Sequence, residues 1–350
     1  MSKKKIERDY RLNGENTKKA HELGLVQADW YQTSLPRAQL KQFMQRSDQP
    51  AIRDTFIWLG LLLFFGYMII GAWGTWWVVP LMIIYGGLYC ISDSRWHETG
   101  HGTAFKTPWM NEVVYQIASF MMLRSPTPWK WSHARHHSDT YVVGRDPEIA
   151  PRPAKAKRII LGLLNLQGGP RLLKVTFLHL IGRLTDDEKD YIPATEHRKT
   201  LWESRIHVTI MGLVILACIL SQSILPAILV GLPSFYGFYI LILLNISQHI
   251  GLYENVLDHR LNARTYLTNR IFRFLYWNMN YHIEHHMFPM VPYHALPRLH
   301  EAVKHDYPPP CPSLWYAFRE SLLAIWKQRN DPDFVIVRDL PSTANPYKYR

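Results

Sequence analysis

The sequence predicts an all-α integral membrane protein: four transmembrane helices in two hairpins, with a cytoplasmic helical cap holding a histidine-rich dimetal site. Three observations predict it. No Asp, Glu, Lys or Arg occurs in residues 55–92, and none in residues 206–248. The chain of 350 residues carries a net charge of +12, all of it outside those two stretches. Nine of the 17 histidines fall into four short groups.

Each uncharged stretch is long enough for two helices and a tight turn, since a crossing takes about 20 apolar residues. The first hairpin is read as 56–73 and 76–90, the second as 207–220 and 225–245. Helices of a soluble core seldom stay uncharged on every face for so long. With four crossings, the three charged segments share one side of the membrane. The connections around Gly74 and Ser223 carry no charge. An excess of Lys and Arg marks the charged side as cytoplasmic. A multi-pass protein of the bacterial inner membrane is expected, with both termini and the metal site inside. The start, "MSKKKIERDY", is basic with no apolar run behind it, so no cleaved signal peptide is expected.

Between the hairpins, "WMNEVVYQIASFMML" (109–123) is apolar but carries Glu112, which suits an interfacial helix. Residues 158–184 are similar and are interrupted at "QGGP". Residues 146–157 form a proline-punctuated loop, and the chain from Asn330 onward is polar and irregular. Residues 1–50 read as polar and partly helical. Cys90, Cys218 and Cys311 lie far apart without metal-ligand spacing; Cys90 and Cys218 sit in expected helices, where buried thiols are usual. No basic run is interleaved with aromatics in a nucleic-acid module's pattern. The positive balance fits a cytoplasmic membrane face, or the docking of an acidic electron carrier.

The histidines carry the chemistry. "HETGH" holds His97 and His101; "HARHH" holds His133, His136 and His137; "HIEHH" holds His282, His285 and His286. "NISQH", closing the fourth expected crossing, holds Asn245 and His249. Spacings of three and four return side chains to one helix face. Each cluster can therefore aim two or three rings at one point. One zinc ion usually takes four ligands. Nine imidazoles suit two ions, each with four or five nitrogens and an open position. Such sites suit iron and oxygen chemistry, although affinity alone does not separate iron from zinc, copper or manganese. Asn245, one turn before His249, is placed to hold a metal-bound water. Glu98, Asp139, Asp146 and Glu284 are candidate acceptors that fix the ring tautomers. The other histidines, such as His21 and His259, lack this spacing and are read as structural or exposed.

"HETGH" is also a literal H-E-x-x-H, a zinc protease signature with Glu98 as general base. That reading leaves six imidazoles unexplained, and Gly100 weakens the helix it needs. A metal or haem transporter would place ligating groups along the crossings, which are almost bare of them.

The three boxes together resemble the membrane fatty acid desaturase and hydroxylase superfamily. "NYHIEHHMFP" is especially similar to its third box, and Asn245 with His249 resembles an additional ligand pair. The resemblance runs from about residue 55 to 304 and implies a desaturase-like membrane domain there. Hairpins 55–92 and 206–248 carry a cap of 93–205 and 249–304, flanked by cytoplasmic segments 1–54 and 305–350. It implies two iron ions, O2 as cosubstrate, and hydrogen abstraction from unactivated C–H bonds. A fatty acyl (lipid) desaturase is favoured. The alternative is a hydroxylase or monooxygenase of alkane, lipid or a small polar substrate. The three-residue spacer of "HETGH" resembles acyl-lipid desaturases and alkane hydroxylases rather than acyl-CoA desaturases, and "GRDPE" looks somewhat hydroxylase-like. No fused haem domain, iron–sulfur cysteine cluster or dinucleotide fingerprint is seen, so electrons are expected from an external ferredoxin, rubredoxin or cytochrome with its reductase. Trp129, Lys130 and Trp131 beside the second box read first as an interfacial anchor.

Overall fold

A computed structural model describes residues 8–348; the first seven residues of the basic start and the last two of the chain lie outside it. Among the described residues there is no β-strand, only the isolated bridges Thr265–Tyr281 and Tyr266–Cys311.

The long helices Asp48–Gly71 and His197–Leu220 start well before the uncharged stretches that were expected to hold them. Their first two turns carry charges that face the cap: Asp54 accepts from Tyr293 Oη at 2.8 Å, and Glu203 accepts from the Thr127 amide at 2.8 Å. Further along, Leu63 and Leu220 are 75% and 76% exposed. The segments containing them, 37–71 and 194–220, are long and apolar enough to cross a bilayer. Only 28% and 17% of their most apolar windows is buried, so they are not core helices of a soluble protein.

The other two expected crossings differ from a plain helix. Val78–Cys90 has 13 residues and is followed almost directly by Ser92–Gly100. The fourth, expected as one helix over 225–245, is three pieces: Leu225–Leu229, Pro233–Tyr236 and Tyr239–His249. Gly231 and Pro233 break it after Leu229, and Gly231 adopts φ +95°. Broken backbone within an apolar layer must find partners for its carbonyls. Tyr85 Oη donates to Leu229 O and Tyr236 Oη to Ile228 O, both at 2.8 Å. Gly86 and Gly237 let two backbones touch: a Cβ on Gly237 would fall 2.0 Å from Gly86 O.

The cap is built from short helices. Pro108–Met121 is amphipathic as expected, with Trp109, Val113 and Ile117 exposed along one stripe. The 158–184 region breaks before Gly168, giving Ala156–Gly162 and Gly168–Leu180. The cap core packs Trp277, Tyr293, Ile283, Leu296, Leu299 and Val303. Trp277 and Tyr293 stack with centroids 4.4 Å apart. The C-terminal segment is more than a loose tail. Leu314–Gln328 packs on Tyr239–His249, and Arg260 donates to Asn345 O and Pro346 O. Cys90 and Cys311 are buried free thiols, whereas Cys218 is half-exposed.

Candidate metal centre

Box one lies on Ser92–Gly100 and its C-cap His101, box two on Pro126–Ser138, box three on His282–Met287; His249 ends Tyr239–His249. The fold holds these elements with buried arginines. Arg264 donates to Ser247 O and Ile250 O at 2.9 Å, satisfying orphan carbonyls where the His249 helix ends. Arg95 donates to Ile91 O, Phe274 O and Leu275 O, tying box one to the segment before box three.

The nine imidazoles gather in two groups. One holds His97, His101, His133, His137 and His285; the other holds His136, His249, His282 and His286. Within each group one nitrogen per ring lies within 4.8 Å of all the others. Boxes two and three each give two rings, four residues apart, to one group and a third ring to the other. This follows from helix geometry, in which i and i+4 share a face while the residue beside them points elsewhere.

Ring orientation is set from behind. His136 Nδ1 donates to Asp146 Oδ2 at 2.9 Å, His133 Nδ1 to Glu148 Oε2 at 3.3 Å, and His249 Nδ1 to Asn262 O at 2.6 Å. Thr140 spends its hydroxyl proton on His136 O, so at 3.2 Å it accepts from His286 Nδ1. The His282 Nδ1 atom lies 3.4 Å from the Gln248 amide. Glu98 Oε1, fully buried, is 3.6 Å from His97 Nδ1 and 3.5 Å from His285 Nδ1. Glu98 Oε2 accepts from the Tyr293 amide at 3.0 Å.

Where Nδ1 holds the proton, as on His133, His136, His249 and His286, the inward Nε2 presents a lone pair to its neighbours. His133 Nε2 is 3.1 Å from those of both His101 and His137, and His285 Nε2 is 3.1 Å from that of His137. In the second group, His282 Nε2 is 2.8 Å from His249 Nε2 and 3.1 Å from His286 Nε2. Facing lone pairs at this distance repel unless a cation lies between them. The spacing suits one: two nitrogens about 2.1 Å from an ion and at right angles are ~3.0 Å apart. His97 leaves both ring nitrogens buried without a hydrogen-bond partner, a costly state unless something else satisfies them. The donor set therefore fits two metal ions.

Burial lowers the pKa of His97 to about 4 and of His101 to about 3. The same cause holds His133, His137, His282, His285 and His286 well below the usual value. Neutral imidazole is the ligating form. His136 differs: burial opposes its charge, but the Asp146 carboxylate outweighs burial and raises it to about 9. Burial lifts Glu98 to about 7.

Of the four acids expected behind the rings, Asp146 contacts one directly and Glu98 lies near two. Asp139 and Glu284 are engaged elsewhere. Asp139 pairs with Arg145 at 3.0 Å, and Glu284 accepts from Thr265 Oγ1 at 2.6 Å and from His300 Nδ1 at 2.5 Å. Sequence reasoning missed Glu148, Asn262, Thr140 and Gln248. Glu148 was visible in "GRDPE", but 15 residues from His133 no helical spacing connects them. Asn245 donates to Asp93 Oδ2 at 3.4 Å and accepts from Tyr276 Oη at 3.1 Å.

The fatty acid desaturase family profile matches residues 73–318. Among curated proteins, the chain is 25% identical over 291 residues to an acyl-lipid (9+3)-(E)-desaturase of Dimorphotheca sinuata, covering 75% of this chain and 74% of that protein. It is 27% identical over 295 residues to an omega-6 fatty acid desaturase of the endoplasmic reticulum, isozyme 1, of Glycine max, covering 72% of each. A Delta(12)-fatty-acid desaturase of Arabidopsis thaliana is 29% identical over 111 residues, 32% of this chain and 27% of that protein.

Proposed function

The chain belongs to the fatty acid desaturase family, and from that premise we propose that it is an O2-dependent di-iron desaturase of lipid-borne fatty acyl chains. The single observation that carries the chemistry is the convergence of nine imidazoles into groups of five and four. We assign one iron to His97, His101, His133, His137 and His285, and the other to His136, His249, His282 and His286. Asn245, whose amide keeps one donor and one acceptor beyond its contacts with Asp93 and Tyr276, is assigned to hold a water beside the second ion. When bound, the metal pair supplies the O2-derived oxidant that removes hydrogen from an unactivated C–H bond.

The protein's own residues do the rest. Asp146, Glu148, Asn262 and Thr140 keep protons on Nδ1 and leave Nε2 free to bind. Buried cap residues hold bulk water away from most of the rings. Glu98 is poorly suited to a protease's general base: it is sealed from solvent, and one of its oxygens is spent on the Tyr293 amide.

The four-crossing topology and the division into hairpins, cap and flanking segments are part of the same reading. The bare exposed helices and the broken, internally satisfied fourth segment support it. An external one-electron protein donor completes the requirement.

The test is expression in a bacterial host with a matched reductase and donor, followed by mass spectrometry of the lipids. An acyl product lighter by two hydrogens is expected. A product heavier by one oxygen would establish the hydroxylase instead.

A further inference from the structure

His259 is buried, has no place in either imidazole group, and plays no part in the chemistry above. Its surroundings are unusual. Trp30, half-exposed at the surface, stacks flat on it, with centroids 4.3 Å apart and planes 5° from parallel. Trp30 is pinned there by its indole N–H, which donates to Ser138 O at 3.0 Å.

From His259 two contacts lead inward. Its ring centroid is 5.1 Å from that of His286. Its Nδ1 donates to Asn262 Oδ1 at 3.3 Å, and Asn262 O accepts from His249 Nδ1 at 2.6 Å. His286 and His249 both belong to the four-imidazole group. An unbroken path of π-stack, ring contact and hydrogen bonds thus joins the protein surface to that group.

We propose that Trp30 and His259 form the conduit by which electrons from a docked one-electron donor reach the four-imidazole group. The proposal rests on the reading that this group holds a redox-active metal. Electronic coupling decays steeply across empty gaps and less so through contacting rings and hydrogen bonds. The donor's redox group is therefore expected over Trp30. Each donor molecule is oxidised by one electron. Two such electrons and two protons, with O2 and the two hydrogens leaving the acyl chain, become two waters and one alkene. A second aromatic pair, Trp129 and Trp96, approaches the five-imidazole group, but edge-on at 5.7 Å and 86°, and Arg124 covers the Trp129 face at 4.2 Å.

The experiment uses the full-length, iron-loaded chain with a ruthenium polypyridyl photoreductant attached at Asp29→Cys. Cys218→Ser removes the one native thiol that is not buried. Flash-driven reduction of the metal is followed without O2, and bound iron and the rate of reduction by dithionite are measured beside it. The expected result is that Trp30→Leu loses the fast flash-driven phase while keeping its iron and its dithionite rate, and that Trp30→Phe, which restores a ring, regains part of that phase. A merely structural plug would instead release iron or change both rates together. Should Trp30→Leu fail to hold iron, His259→Gln, which removes the stack but can still bond Asn262, decides by the same readout. Flash reduction at the wild-type rate in these iron-loaded variants would overturn the conduit alone. Absence of iron from the wild-type chain would overturn the conduit and the functional reading together.

Discussion

A single imidazole is weak evidence of a metal, yet four of the nine, His133, His136, His249 and His286, have Nδ1 held by an acceptor behind the ring. Where Nδ1 is spent on a buried acceptor, the ring has one remaining use for its lone pair. His285→Ala is expected to abolish turnover and lower bound iron, because it removes one of the five nitrogens of its group. His136→Ala should act likewise on the other group, while His21→Ala, at the exposed end of the Glu15–Glu22 helix, should change neither. Iron analysis beside activity checks all three; full turnover by the His285→Ala protein would remove that residue from the ligand set. Asp146→Asn tests the support behind the ring. It keeps the shape but loses the charge that holds the His136 proton, and should weaken metal binding by about 10–100-fold. Titration with a competing chelator measures it, and unchanged affinity would leave Asp146 as packing.

At the scale of elements, the second and fourth apolar segments decide whether the bundle closes. Their contact runs through Gly86 and Gly237 with no side chain between. The tyrosine hydroxyls that satisfy the broken segment matter less in energy. Hydrogen bonds between membrane helices average only about 0.6 kcal/mol, whereas overpacking a tight contact costs about 1–3 kcal/mol. Gly86→Ala is therefore expected to lower the Tm in detergent. Its Cβ would meet the Tyr236 ring at 2.5 Å and Gly237 Cα at 2.8 Å. Gly71→Ala, with nothing within 4 Å, is the comparison and should leave the Tm unlowered. Equal Tm values for the two variants would mean that the glycine contact does not hold the bundle.

For the whole molecule, the proposed arrangement puts the metal centre on the face that bears the charge, with two short uncharged turns opposite. Cysteine labelling in sealed inverted and right-side-out vesicles checks it. Thr75→Cys and Ser221→Cys should react with an impermeant maleimide from outside, and Ser138→Cys only from within. Labelling of positions 75 and 138 from the same side would remove the four-crossing topology. Much of this was legible in the sequence. Uncharged runs report burial in an apolar medium through composition alone, and i, i+4 histidines report a shared helix face through a fixed period. Those two local signals determined the helical class, the helix-prone apolar stretches and all nine imidazoles that converge. The tertiary structure alone decided which ring joins which group, and it alone supplied Glu148, Asn262 and Thr140 behind them. It also broke the fourth apolar segment and brought Trp30 against His259, 229 positions further along the chain. The reason is range: composition and periodicity act over a few turns, whereas a hydrogen bond or ring contact between distant residues exists only once the chain has packed.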